Sequence, residues 1–266
     1  MTAIRLGCQG WTYPDWVGVF YPPGARQETL LPFYSQVFDT VELDSTFYGA
    51  PKPTIARSWA RHTPPDFRFA AKAPRAVTHD KRLVDAAAEM QEFARGIAPL
   101  GEKLGPVLVQ LPPDFARDAD TEAALRSFLA EAPAGLRLAV ELRHASWHVP
   151  ATLDLLRERQ AALVWIQWRD LPVWAENTAP FLYVRWLGNR EEITRYDRVQ
   201  IDRGGQLDQW AERLRASIGA VDEIYGYVNN HYAGHSPESV IALKRLLGLP
   251  APDARDLWPQ RELFGG

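Results

Sequence analysis

Charged and polar side chains occupy alternate positions within several short apolar runs of this chain. Thr40-Val41-Glu42-Leu43-Asp44, Ala70-Ala71-Lys72, Leu108-Val109-Gln110, Ala139-Val140-Glu141-Leu142-Arg143, Tyr183-Val184-Arg185 and Tyr225-Gly226-Tyr227-Val228-Asn229 all show this spacing. A period of two puts such residues on one face of a strand. Glu42 and Glu141 are then the carboxylates able to serve as an acid and base pair across a bond. Lys72, Arg143 and Arg185 supply positive charge for an anionic group. Each buried charge costs several kcal/mol unless it is paired. The set is therefore either a polar ligand pocket or a self-satisfied ion network that holds one layer of the fold, Glu42 and Glu141 against Lys72 and Arg185.

Other residues could join such a site. The first run ends in Cys8-Gln9-Gly10-Trp11-Thr12-Tyr13, which could bring the aromatic face of Trp11 over a ligand. Trp11, Tyr48 and Trp147 are candidate walls. His79, His144, Gln110, Asp44, Asn229 and Asn230 are candidate polar contacts. Two histidine pairs, His144/His148 and His231/His235, have i,i+4 spacing. A zinc site with Glu141 or Asp44 is thinkable, but neither pair has the H-E-x-x-H pattern of a helical metal site. We expect no resident metal or cofactor. Cys8 has no neighbouring base in sequence and reads as packing. There is no phosphate-binding glycine loop and no G-x-S-x-G elbow. Gly204-Gly205, before a predicted helix, is a weak anion-site signal.

The elements that must position these residues form an alternating series. Eight apolar runs read as strands covered on both faces: 4–8, 40–44, 67–71, 107–111, 136–142, 163–167, 181–185 and 224–228. Amphipathic stretches at 29–37, 54–61, 83–97, 121–131, 151–160, 207–218 and 236–247 read as helices. Ser236-Pro237 looks like an N-cap with proline at N1. Strand–helix alternation implies a parallel sheet. Eight units predict an α/β fold, a single (β/α)8 TIM barrel over residues 1–266, with a site at the C-terminal strand ends. Two connections deviate. Residues 168–180 are too few for a full crossover helix, so the link between strands 6 and 7 should be degenerate. The polar stretch 187–205 should form a long loop over the mouth.

Length and composition agree with a globular chain that buries a large core. The chain has 266 residues, with 46% hydrophobic, 24% charged and a formal net charge of −3. That balance excludes a globally basic nucleic-acid coat. A single cysteine cannot form an internal disulfide. The opening residues carry no apolar signal core, and no window reaches the ~18 apolar residues of a membrane helix. The expectation is a cytoplasmic protein with no membrane contact. Oligomeric state is open.

The strand-end motifs together resemble the domain-of-unknown-function 72 (YecE-like) family. The resemblance rests on Gly10-Trp11 with Phe20-Tyr21-Pro22, on Thr40 to Tyr48, on Phe69 to Pro74 with Thr78-His79, on Gln110 to Pro113, on Val140 to His144 with Ser146-Trp147, on Tyr183-Val184-Arg185, and on Tyr227 to Asn230. It spans Ile4 to Leu247 and implies a TIM barrel but no established reaction. Two departures stand out. Asp44 occupies a position where the family more often has Asn, and Trp186-Leu187-Gly188 replaces a frequent Leu-His-Gly. Two readings of function follow. One is an enzyme, hydrolase-like, acting on a phosphorylated, sugar or nucleotide-type ligand. The other is a non-catalytic nucleic-acid-binding protein that uses the mouth aromatics and the arginines of loop 190–203.

Overall fold

Every apolar run of the sequence becomes a parallel strand. The computed structural model describes residues 2–189 and 191–259. Its strands are β1 (Ala3–Gln9), β2 (Thr40–Leu43), β3 (Arg68–Lys72), β4 (Leu104–Gln110), β5 (Leu138–Glu141), β6 (Ala162–Gln167), β7 (Phe181–Trp186) and β8 (Glu223–Val228). They close in sequence order, with β8 pairing back to β1. The fold is the expected TIM barrel.

Alternation along the strands makes two apolar layers. Ala70, Leu108, Ala139, Ala162, Val164, Phe181, Tyr183, Tyr225 and Tyr227 fill the lumen. Residues of opposite parity, such as Val41, Val107, Val140 and Val184, pack outward against the helices. Lower in the barrel, the Arg137 guanidinium pairs with Glu223 and donates to the Tyr225 hydroxyl at 2.9 Å. Arg137 also lies over the Phe181 ring. These groups plug the N-terminal end.

The helices are α1 (Gln27–Val37), α2 (Pro53–Arg61), α3 (Ala87–Ile97), α4 (Ala119–Glu131), α5 (Pro150–Glu158), α6 (Gly204–Ser217), α7 (Asn230–Ala233) and α8 (Ser236–Leu246). Prolines open α2 and α5, where their fixed φ suits a first turn and the missing N–H costs no bond. Asp118 and Thr121 form a reciprocal capping box at α4.

Three local expectations are corrected. Helix α3 starts at Ala87, not at residue 83, because Arg82, Leu83 and Asp85 all take left-handed backbone conformations that break a helix. Asp44 opens a 3-10 turn, Asp44–Tyr48, instead of ending β2. The cap of α8 is His235, and Ser236 is the first helical residue.

Between β6 and β7 no helix forms. A strap crosses the outer face of β6, fixed by the Thr178 hydroxyl, which accepts from Leu163 N at 2.7 Å and donates to Ala161 O at 2.6 Å. The Trp165 indole donates to Glu176 O at 3.0 Å. After β7 the chain makes the expected long loop. Asp15 accepts from Tyr196 N at 2.9 Å, and Gln200 N donates to Ala233 O at 2.7 Å. No helix among the described residues is long and apolar enough to cross a membrane.

Candidate functional site at the barrel mouth

The strand register gathers the inward polar residues into one layer. Gln9 stands beside Glu42, Gln110 beside Glu141, and Arg185 beside Tyr227. Arg185, from β7, spans the lumen between two carboxylates. Its Nη2 and Nε reach Glu42 at 2.7 and 3.0 Å, and its Nη1 reaches Glu141 at 2.6 Å. The Tyr183 hydroxyl donates to Glu42 at 2.7 Å, and Arg143 Nε donates to Glu141 at 2.5 Å. Both carboxylates are fully shielded from water. Burial alone would raise the Glu141 carboxyl, but Arg143 and Arg185 outweigh it and hold it down at about 2. Burial opposes the Arg185 charge too, and the two glutamates more than restore it. Glu141 and Arg185 stay ionised, and the hydrogen-bond capacity of the layer is directed inward.

Above it opens a cavity of about 460 Å³. Lys72, Arg75, Arg143, Arg169 and Arg185 line it, against the carboxylates of Asp44 and Glu191. Glu42 and Glu141 lie beneath its wall. Lys72 ends β3; its Nζ sits 3.1 Å from Asp44 Oδ1 and 4.0 Å from the centre of the Phe47 ring. Burial lowers the Lys72 ammonium pKa, and the nearby Arg185 adds to that, against the pull of Asp44. His79 packs edge-on against the other side of the same aromatic cluster, 5.0 Å from Phe47. Burial, then Lys72, Arg75 and Arg143, lower its pKa, so the imidazole is neutral at pH 7.

On the opposite wall Trp168 stacks between two guanidinium groups, Arg143 at 4.7 Å and Arg169 at 4.9 Å. Arg169 adopts φ 49°, a left-handed conformation uncommon for a non-glycine residue. The Gln9 carboxamide oxygen accepts from Asn229 Nδ2 at 2.8 Å, while Gln9 Nε2 is buried without an acceptor among the described residues. Gly188 closes the loop onto the mouth. A Cβ there would lie 1.5 Å from the His231 carbonyl oxygen, so only glycine lets the loop backbone approach.

Eight of the residues singled out from sequence line this cavity: Asp44, Lys72, His79, Gln110, Arg143, Arg185, Asn229 and His231. Five others lie elsewhere. Trp147 is buried, stacked 5.7 Å from Phe115, and its indole donates to Phe115 O at 2.7 Å. Trp11 packs edge-on against Trp59 at 5.9 Å. Tyr48 is exposed outside the cavity. The His144 ring nitrogen caps the short turn at Ser146. Asn230 is buried and accepts from Ser236 N and Oγ at 3.0 and 2.8 Å, tying α7 to α8.

Sequence reasoning did not assign Gln9, Phe47, Arg75, Trp168 or Arg169 to the site, while Leu187, Gly188, Asn189 and Glu191 reach it from the loop expected over the mouth. Two of these carried a readable signal. Gln9 shares the parity of Glu42 across the β1–β2 register, and Trp168 continues the inward series Val164, Ile166 on β6. Arg190 lies outside the described residues. In the rest of that loop Arg195 and Arg198 both pair with Asp197, and Arg203 donates to Tyr232 O. No cluster of three or more His, Cys, Asp or Glu among the described residues is placed to hold a metal ion. The Cys8 thiol is buried and pushed up to about 12, so it packs as a neutral group.

Comparison with known proteins decides the family. The model of the family described as "Protein of unknown function DUF72" matches residues 5–262. The chain belongs to this family. The UPF0759 protein YunF of Bacillus subtilis is 31% identical over 96% of this chain and 100% of its own length. The UPF0759 protein YecE of Escherichia coli is 32% identical over 53% of the chain, and the matched segment spans about half of that relative, 48%. A DUF72 family crystal structure from Thermotoga maritima superposes with a TM-score of 0.81 at 30% identity, covering 92% of this chain and 99% of that one. A second, from Enterococcus faecalis, shares the fold with a TM-score of 0.77 at 23% identity, covering 97% and 99%.

Proposed function

We propose that the barrel mouth binds a small anionic ligand, of the phosphorylated sugar or nucleotide type, and acts on it as an enzyme. The observation that carries this reading is the concave cavity at the C-terminal strand ends, lined by basic side chains. Barrels of this architecture place their chemistry at that end. Arg143, Arg75 and Arg169 bind the anionic group, and Trp168 keeps two of these guanidinium planes apart and oriented. Glu42 and Glu141 hold Arg185 in place and keep its charge. With its pKa near 2, Glu141 is not a proton donor at neutral pH. Proton transfer falls instead to the neutral imidazole of His79 and to Asp44. In a hydrolytic reaction His79 activates water while the arginines stabilise the developing charge.

The nucleic-acid reading has less behind it. The loop arginines 195, 198 and 203 are already paired within the protein, and the basic groups at the barrel mouth line a concave pocket instead of a broad surface.

The test is thermal unfolding against a panel of phosphorylated and carboxylated metabolites with neutral sugars as controls. A ligand present at about 100 times its Kd adds about 2.7 kcal/mol. For a chain of this size that is roughly 5–10 °C of melting temperature. Stabilisation by anionic members that weakens with salt supports the proposal. A panel in which no anion stabilises, or neutral sugars stabilise equally, refutes it. Duplex and single-stranded DNA should leave the protein's mobility unchanged at low salt.

A further inference from the structure

Among the lysines of the chain, Lys52, Lys72, Lys81, Lys103 and Lys244, one is placed to react. Lys72 is 8% exposed and ends a barrel strand, and it lines the cavity with the arginines. Its amine touches one carboxylate, Asp44, and one aromatic face, Phe47. A second cation, Arg185, lies close enough to bear on its charge. If the only task here were to hold an anion, an arginine would serve better, since its fork binds phosphate and carboxylate through two parallel bonds. An amine that is shielded from water and set beside a cation is instead the environment that makes lysine nucleophilic.

We propose that Lys72 forms an imine with an anionic aldehyde or ketone, its carbonyl carbon held over Nζ while its phosphate or carboxylate rests on Arg143 and Arg75. The proposal rests on the anionic-ligand reading of the same cavity and names the substrate class as a carbonyl compound. In the first step Asp44, 3.1 Å away, takes a proton from the Lys72 ammonium. The freed nitrogen lone pair forms the N–C bond as the C=O π pair moves onto oxygen. Asp44 passes the proton it took to that oxygen, and the product is a carbinolamine. Nitrogen then loses one proton to the neutral His79, which passes it to the hydroxyl, and the hydroxyl leaves as water. The nitrogen lone pair closes the C=N bond as water departs, and because nitrogen keeps its one hydrogen the product is the iminium. No oxidant, reductant or metal is required. The iminium withdraws electrons from the adjacent carbon, which opens proton abstraction or carbon–carbon bond cleavage beside the former carbonyl.

The experiment is reductive trapping. The purified protein is incubated with pyruvate, dihydroxyacetone phosphate or, as the neutral control, acetone. Sodium cyanoborohydride is added, and the sites of modification are read by peptide mass spectrometry. The expected result is a secondary amine on Lys72 formed at least about tenfold faster than on the exposed Lys52, as lowered ammonium pKa makes more free amine available. The two anionic probes should label faster than acetone. Inorganic phosphate should compete, and Arg75→Ala should slow the anionic probes but not acetone. Lys72→Arg should remove the modification while the other lysines label as before. Labelling spread evenly over the lysines, or sparing Lys72, overturns the imine. Stabilisation by inorganic phosphate in a thermal scan separates the two readings. If phosphate stabilises and Lys72 is not trapped, the anion pocket stands and the imine falls. If phosphate does not stabilise and Lys72 is not trapped, both fall.

Discussion

Replacing Arg185 with methionine tests the centre of the site. The side chain makes three hydrogen bonds to Glu42 and Glu141, and all three groups are almost wholly buried. Methionine has similar length and no charge, so the substitution opens little space. It leaves Glu42 with the Tyr183 hydroxyl alone and Glu141 with Arg143. Removing one partner from a buried ion pair costs about 3–5 kcal/mol. For a chain of this length that corresponds to a fall in melting temperature of roughly 10 °C at pH 7.

The dependence on pH fixes the sign. In the native protein the Glu141 carboxyl lies near 2 against an ordinary 4.5, a gap worth about 3 kcal/mol of stability. A lowered carboxyl stabilises fully above the unfolded value, and the contribution is lost as pH falls from about 5 towards 2. Without Arg185, Arg143 is left to oppose the cost of burial, and the Glu141 carboxyl rises from its low value. The variant then has less of this stability to lose as pH falls. The gap between native and variant should therefore be widest at pH 7.5 and narrow towards pH 3. Urea unfolding followed by tryptophan fluorescence at both values measures it. A loss below about 1 kcal/mol, or a gap that does not change with pH, would refute the view that this arginine neutralises two buried carboxylates.

Three further outcomes follow from the same geometry. Glu141→Gln should remove much of the acid-labile stability, about 3 kcal/mol at neutral pH, and flatten the stability profile between pH 5 and 2 in acid titrations of unfolding. Gly188→Ala should displace the loop from His231, costing about 2 kcal/mol and weakening ligand binding, as read by urea unfolding and calorimetric titration. Trp168→Ala should release Arg143 and Arg169 from their stack and weaken an anionic ligand by about fivefold, a loss of about 1 kcal/mol, with melting temperature nearly unchanged.

The fold was legible because alternation in a strand is a local property. Glu42, Lys72, Gln110, Glu141 and Arg185 are forced inward by apolar neighbours that must face the helices, and each lies where that parity puts it. Applied equally to β1 and β6, the same rule reaches Gln9 and Trp168. Beyond the last paired residue the rule has no force. Trp147 and His144 follow β5 by only a few residues, yet the 3-10 turn Ala145–Trp147 swings the indole under Phe115 and away from the cavity. Arg169 and Asn189 are brought in by loops whose paths depend on long-range contacts such as the close approach of Gly188 to His231.

Roles were harder to read than positions, for an electrostatic reason. In sequence Glu42 and Glu141 are equivalent carboxylates on opposite sides of a barrel, a natural acid and base. That role requires the environments of the two to differ, so that one keeps its proton and the other does not. The structure places the same guanidinium between them, which drives Glu141 to the ionised state and ties Glu42 to it. Asymmetry of the kind that chemistry needs appears one layer higher, where Lys72, Asp44 and His79 surround Phe47 with unlike environments. The carboxylate layer below fixes Arg185, and Arg185 adds to burial in lowering the proton affinity of the Lys72 amine that faces the cavity.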